Sequence, residues 1–484
     1  MPDAEINLAA LEPLYLPSEE PKAYRERAPQ QNQPAVVKKG RRPSSITIVN
    51  NLRYDLHLWR ENGYVDASDT TRELLTFWFE NDHFFKNGSG EAQQFSYYFC
   101  QREAIETLIY LMEIRELSTL SAITAEFGGD NAELTAGGIT PEEDLWPRFA
   151  FRMATGSGKT KVMSLAIVWS YFHALRESDS KMAKNFLVIA PNLTVFERLK
   201  QDFGDGHIFD TDPLIPAAWR GDWNLTTVLQ DEASGAATGG TLYLTNIHRL
   251  FEQHARGRSE SETYAWMGPA VARASALDTS EALRRRVTSH PNLMVINDEA
   301  HHLWDPDSAW NEAMSFLNDA YKSRNGQGIT AQLDFSATPK DKDGNLFKHI
   351  VSDSPLGEAV DSGIVKVPII GHVGRLQERA DENYAWRYDE HLRLGYERWL
   401  KSDEEWSRSN KKALLFVMCE NTDAADNITQ RLNTDPTFEK LNGKVINLHT
   451  NLKGKLKKVK RGGEINYEFV ENEKAISDED LRQL

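Results

Sequence analysis

The chain has 484 residues, 40% of them hydrophobic, with a net charge of −16 and two cysteines. That length and apolar content support a large core and two or three domains, while the acidic balance excludes a uniformly basic nucleic-acid binder but not a local positive groove. Cys100 and Cys419 lie far apart and make no disulfide framework, which fits a reducing, cytoplasmic compartment.

No apolar run reaches the roughly 18 residues that a membrane span needs, and MPDAEINLAALEP has neither the basic start nor the cleavage site of a signal peptide. Residues 1–45 read as a flexible segment, rich in Pro, Gln and charge from Pro17 to Ser45. The KKGRR run, Lys38 to Arg42, reads as a solvated linker inside it. Residues 46–90 form an N-terminal accessory element dense in Trp59, Leu74, Leu75, Phe77, Trp78 and Phe79.

Residues 91–375 alternate short apolar runs with helix-like segments, the pattern of a mostly parallel sheet covered by helices. The expected strands are 149–153, 186–190, 241–245, 294–297, 331–335 and 367–370. Residues 376–484 begin a second α/β domain: a charged, Trp-rich helical linker at 388–412, a strand at 413–418, an amphipathic helix at 423–432 and a strand at 444–448.

Three motifs carry chemistry. In FRMATGSGKTKVM an apolar strand ends in the loop Thr155, Gly156, Ser157, Gly158 and a helix begins at Lys159 and Thr160. Glycines there let several backbone N–H groups and the positive helix end face one anion, with Lys159 for the β- and γ-phosphates of ATP and Thr160 for Mg²⁺. Met153 stands where the usual phosphate-loop pattern has its first glycine.

In LMVINDEAHHLW an apolar strand delivers two acids to the sheet edge where ligands bind. Asp298 suits Mg²⁺, and Glu299 suits the polarising of an attacking water. A metal site at His301, His302 and Asp305 is the competing reading, without further ligand-spaced His or Cys to support it. In QLDFSATPK, Ser336 and Thr338 end another apolar strand.

In this order ATGSGKT, DEAH and SAT resemble the superfamily 2 helicases and translocases. Through MATGSGKT, APNLTVFERL, LTNIHRL, NDEAHH and DFSATP the chain resembles, more narrowly, the Res subunits of type III restriction enzymes, over about 95–450. The resemblance implies tandem RecA-like P-loop domains, an N-terminal extension and a DNA-dependent ATPase that couples hydrolysis to movement. It assigns Lys159 and Thr160 to nucleotide and Mg²⁺, Asp298 and Glu299 to hydrolysis, His301 to the link with the second lobe, and Ser336 and Thr338 to coupling.

By the same resemblance Phe99 and Gln101 are candidates to read the adenine, although an amphipathic helix whose aromatics simply pack suits FSYYFCQREAIETL equally. Asn192, Thr194, Arg198, Asn246 and Arg249 are candidates for the nucleic-acid backbone, or ordinary caps and surface charges. KGKLKKVKRGG, 453–463, is either a basic nucleic-acid loop or a solvated hairpin. The partners implied are nucleic acid, most of all DNA, and a methyltransferase or other restriction or defence subunit.

The arginine helix that closes the family's motor and its nuclease domain are not found in these residues, so the second lobe is expected to be incomplete and cleavage is not expected. An alternative function follows: a nucleotide-switched DNA-binding subunit that needs a partner or further chain for turnover.

Overall fold

The computed structural model describes residues 12–26, 35–86, 91–130, 132–191, 193–229, 239–246, 283–302, 309–341, 344–366, 378–408, 412–447, 455–461 and 464–470. The chain divides into two compact units, the first reaching Pro368 and the second starting at Ile369.

The first unit begins with the antiparallel pair β1 (Ala23–Glu26) and β2 (Val36–Lys39), then helices α1 (Thr47–Glu61) and α2 (Asp69–Phe79). The short pair β3 (His83–Lys86) and β4 (Ala92–Phe95) leads to α3 (Phe99–Ile109), α4 (Leu120–Phe127) and α5 (Ala132–Gly137). The alternation of strand and helix then starts: β5 (Arg148–Met153), α6 (Lys159–Arg176), β6 (Asn185–Ala190) and α7 (Leu193–Phe203). It continues with β7 (Leu225–Leu229), β8 (Gly240–Asn246), β9 (Met294–Asp298), β10 (Ala331–Ser336) and β11 (Ile350–Ser354).

Among the described residues these strands form one seven-stranded sheet in the order β11-β5-β10-β9-β6-β8-β7, every pairing parallel. Parallel strands are covered on both faces and so read as unbroken apolar runs. Their period of two divides the side chains between two cores. Phe186, Val188, Met294, Ile296, Leu333 and Phe335 join α1, α2, α3 and α6 on one face, while Leu187, Ile189, Leu293 and Val295 join Met314, Leu317 and Tyr321 of the helix Ala309–Asn325 on the other. The architecture is the expected α/β, RecA-like layer of a sheet between helices. No described helix is long and apolar enough to cross a membrane.

Five expected strands are found with one or two residues added at their ends; the expected strand 367–370 lies outside the described residues. β7 and β11 were not expected, and they are the two edges of the sheet. Helix α2 locks onto α6 through Trp169 Nε1, which donates to Thr71 Oγ1 at 3.0 Å, and Trp78 Nε1 donates to the Leu214 carbonyl at 2.8 Å.

Only part of the KKGRR run is solvated: Lys38 and Lys39 are exposed on β2, whereas Arg41 and Arg42 are drawn into ion pairs. Arg41 forks between Glu103 of α3 and Glu358, and Arg42 reaches Asp361; both acids beyond α3 lie on the short helix Leu356–Asp361. Sequence composition cannot reveal this, because the partners lie 62 and 317 residues away from Arg41.

One buried polar cluster sits in the sheet itself. Asp334, in the middle of β10, accepts hydrogen bonds from Asn297 Nδ2 at 2.6 Å, Gln332 Nε2 at 2.8 Å and His349 Nε2 at 2.9 Å. Burial alone would raise its pKa, but these donors outweigh burial and hold the carboxyl below its usual range. A depressed carboxyl stabilises the fold above its unfolded pKa, and that contribution disappears as pH falls through the folded value. Asp334→Asn, whose amide would face donors, is expected to cost about 2 kcal/mol at pH 7. In urea unfolding series the gap from wild type should begin to narrow as pH falls below about 4, where the unfolded carboxyl protonates, and close as pH passes the lower folded value. A gap that stays constant from pH 7 to pH 3 would refute the ionised assignment.

The second unit packs Leu392 and Tyr396 of the helix Asp389–Ser407 against Ile428 and Leu432 of the helix Thr422–Thr434, closed by Phe438 and Leu441. Asp389 is buried beneath Arg431, Arg393 and Arg379. The strands expected at 413–418 and 444–448 are not formed among the described residues: 413–419 and 444–447 belong to no strand there. Leu415 packs on the helices, whereas Leu414, Phe416 and Met418 are 77%, 75% and 88% exposed. The apolar alternation is real, but a strand also requires a neighbour to pair with. Residues 455–461 and 464–470 form an antiparallel hairpin, which carries the basic run.

Candidate nucleotide-binding site

β5 ends at Met153, fully buried, which explains why the first glycine of the usual loop is dispensable here: the chain is still strand at that position. The turn follows. Ser157 N and Oγ both donate to the Ala154 carbonyl, at 3.1 and 2.7 Å. Gly156 and Gly158 have φ of +85° and +80°, a region that only glycine occupies without strain. A Cβ on Gly158 would also lie 2.3 Å from Gln101 Nε2. Gly158 caps α6, so the helix's unpaired N–H groups and positive end face the same space.

Gln101 holds this loop. Its Oε1 accepts from the Tyr98 amide at 3.0 Å and its Nε2 donates to the Ser157 carbonyl at 2.9 Å. Phe99 lies beside it, with the guanidinium carbons of Arg41 and Arg60 at 5.4 and 5.1 Å from its ring centroid. Both residues flank the loop, and both are engaged with protein groups.

The acids arrive from β9. Asp298 is its last residue and has no exposed surface. Glu299 follows at φ +49°, a left-handed conformation uncommon for a side-chain-bearing residue and most frequent at functional sites. Lys159 Nζ donates to Glu299 Oε1 at 2.6 Å. Arg198 of α7 pairs with Asp298 Oδ2, and the Glu299 amide donates to Oδ1 at 3.0 Å. Burial pushes the Asp298 pKa up, and Arg198 and Lys159 pull against it.

His301 Nδ1 lies 2.8 Å from Ser336 Oγ and 3.6 Å from Glu299 Oε2, and Ser336 Oγ accepts from the Thr338 amide at 3.0 Å. One line of contacts thus runs from Lys159 through Glu299 and His301 to Ser336 and Thr338, joining three motifs far apart in sequence. Parallel pairing of β10 with both β5 and β9 causes this, because it brings the three strand ends to one edge.

The residues fit a magnesium nucleotide: an anion cradle with a buried ammonium beside it, and a buried carboxylate at the strand end. Asp298, and Thr160 as the second residue of α6, are the residues that could supply oxygen ligands to Mg²⁺, which takes one or two from protein alongside phosphates and water. Among the described residues no three His, Cys, Asp or Glu side chains gather as a metal cluster. The competing His301, His302 and Asp305 reading falls partly outside the described residues, and His301 is engaged with Ser336.

Of the nucleic-acid candidates, Asn192 and Arg249 lie outside the described residues, and Thr194 is placed on α7 by its backbone alone. Asn246 is the buried last residue of β8, paired in register with Ala190 at the end of β6, so both candidate loops leave from adjacent strand ends. Arg198 is placed against the acids. The sequence offers it as a nucleic-acid contact or an ordinary surface charge, and the local signal for its partner Asp298 is that α7 departs from β6, the neighbour of β9.

The family model described as "Type III restriction enzyme, res subunit" matches residues 94–341, just over half of the chain. No curated protein matches it. The match spans the loop, the strand-end acids and the Ser336–Thr338 turn whose geometry is set out above, so the chain belongs to the Res-subunit family of type III restriction enzymes, with a superfamily 2 helicase-type domain.

Proposed function

We propose that this chain is an ATP-dependent DNA helicase or translocase of the Res type, binding Mg-ATP at the β5–α6 loop and using hydrolysis to move along nucleic acid. The observation that carries the reading is the continuous contact line from Lys159 to Glu299, His301 and Ser336, because it connects the group that would hold phosphate to the turn that would pass on its loss.

In this reading Lys159 leaves Glu299 for the phosphates, and the freed Glu299 carboxylate accepts the proton of the attacking water. Bound Mg²⁺ would neutralise developing phosphate charge. Glu299 no longer paired with Lys159 approaches His301, and His301 relays its position to Ser336. Asn246 and the loops after β6 and β8 would follow the phosphate backbone of the nucleic acid.

The test is ATP hydrolysis with and without duplex and single-stranded DNA, as salt is raised. DNA-stimulated turnover is expected, with stimulation lost steeply between 50 and 200 mM salt, about tenfold or more, because phosphate contacts release counterions. Turnover indifferent to every nucleic acid would refute the motor. Tight ATP binding without turnover would support the nucleotide-switched subunit.

A further inference from the structure

Both catalytic acids are occupied by cations of the chain itself. Lys159 belongs to the phosphate loop, so an arriving phosphate draws it off Glu299 directly. Arg198 has no such neighbour: it stands on α7, its side chain is 50% exposed, and it reaches inward to an Asp298 with no exposure at all. The two oxygens of Asp298 are held unequally. Oδ1 accepts a backbone amide fixed by the turn, whereas Oδ2 is covered by the end of a long, half-exposed side chain.

A divalent cation and a guanidinium compete for that second oxygen, since two cations brought to one buried carboxylate oxygen repel each other and divide its charge. We propose that Arg198 is a latch: with no ligand bound it covers Oδ2 of Asp298 against magnesium, and a backbone phosphate of nucleic acid draws it away. A guanidinium fork suits phosphate better than a single carboxylate oxygen, because two parallel hydrogen bonds form. The helix α7 that bears Arg198 follows β6 and packs against β8, whose last residue Asn246 pairs in register with Ala190, so Arg198 shares this end of the sheet with the residues proposed to follow the nucleic-acid backbone. Nucleic acid therefore raises the affinity for magnesium nucleotide, and by linkage magnesium nucleotide raises the affinity for nucleic acid equally. The competition at Asp298 rests on the magnesium-nucleotide half of the proposed function, and the transmission on its nucleic-acid half.

The experiment titrates Mg²⁺ against binding of a fluorescent ADP to wild type, Arg198→Ala and Arg198→Lys, each alone and with saturating duplex or single-stranded DNA. ADP binding in EDTA, expected to be equal in all three, establishes that the pocket is folded. Without DNA, Arg198→Ala should reach its Mg²⁺ midpoint at a concentration lower by about fivefold or more, the low end of ordinary coupling between sites. DNA should bring the wild-type midpoint down towards that of Arg198→Ala and leave Arg198→Ala unmoved, and Arg198→Lys, which keeps the charge but not the fork, should show a smaller DNA response than wild type. An Arg198→Ala midpoint equal to or above wild type without DNA overturns the latch. DNA that binds yet leaves the wild-type midpoint in place overturns the transmission while the motor reading stands. Absence of any DNA binding overturns the motor reading and the transmission together, with the competition at Asp298 still decided by the DNA-free comparison.

Discussion

Glu299→Gln is expected to bind ATP about as tightly as wild type and to hydrolyse it about 10²- to 10⁴-fold more slowly, the usual loss when a positioned general base is removed. The two effects separate because of what Glu299 touches. Its Oε1 is the partner of Lys159 at 2.6 Å, and a glutamine oxygen can still accept from that ammonium, so the loop stays in shape. What the amide cannot do is take a proton. Lys159→Ala fails differently: it removes the only loop cation aimed at the phosphates and leaves Glu299, 18% exposed, facing the incoming triphosphate with its charge intact. Binding should then fall along with turnover. Equilibrium binding of a fluorescent ATP analogue beside phosphate release tells these apart. Turnover of Glu299→Gln within about threefold of wild type, far short of a lost general base, would place proton acceptance elsewhere.

The parts of this molecule that were legible in the sequence are those whose cause is local. β5, β6, β8, β9 and β10 announce themselves as apolar runs because helices cover both their faces. The turn between β5 and α6 is legible because left-handed backbone demands glycine at 156 and 158. The edges are harder. β11 reads IVSDS, yet all five residues are buried, since Asp353 Oδ2 accepts from Ser44 Oγ at 2.6 Å and so finds its partner 309 residues away. The same limit hides Arg198 from Asp298 and Arg41 from Glu358. In the second unit the error runs the other way: 413–418 has a strand's composition, but no described segment pairs with it. Asp334 carried an unused signal, for a charge in the middle of LDFS inside a doubly covered sheet needs buried partners, and three were there.

Arg41→Ala should cost about 3 kcal/mol of the first unit's stability, the usual loss when one member of a buried ion cluster is removed. Arg41 Nη2 donates to Glu103 Oε2 at 2.8 Å and to Glu358 Oε1 at 2.9 Å, while Nε donates to Glu358 Oε2 at 3.2 Å. The side chains of Glu103 and Glu358 are 3% and 7% exposed, so water cannot replace the lost partner. Arg53 offers only partial cover, 3.7 Å from Glu103 and 3.8 Å from Glu358. Burial would raise the pKa of Glu103, and Arg41 is the chief cation that holds it down instead. The consequence extends to the site, because Glu103 shares α3 with Gln101, which braces Ser157, and the helix bearing Glu358 follows β11, whose Ser354 carbonyl accepts the Ala154 amide at 3.0 Å. Arg41→Ala is therefore expected to weaken nucleotide binding as well as lower the denaturant midpoint. Adding Glu103→Gln to Arg41→Ala should restore part of the loss, since it removes one of the two charges left unpaired. An Arg41→Ala chain with an unchanged midpoint would show that the cluster adds nothing to stability, and a double variant less stable than the single one would show that Glu103 contributes packing and not a charge needing compensation.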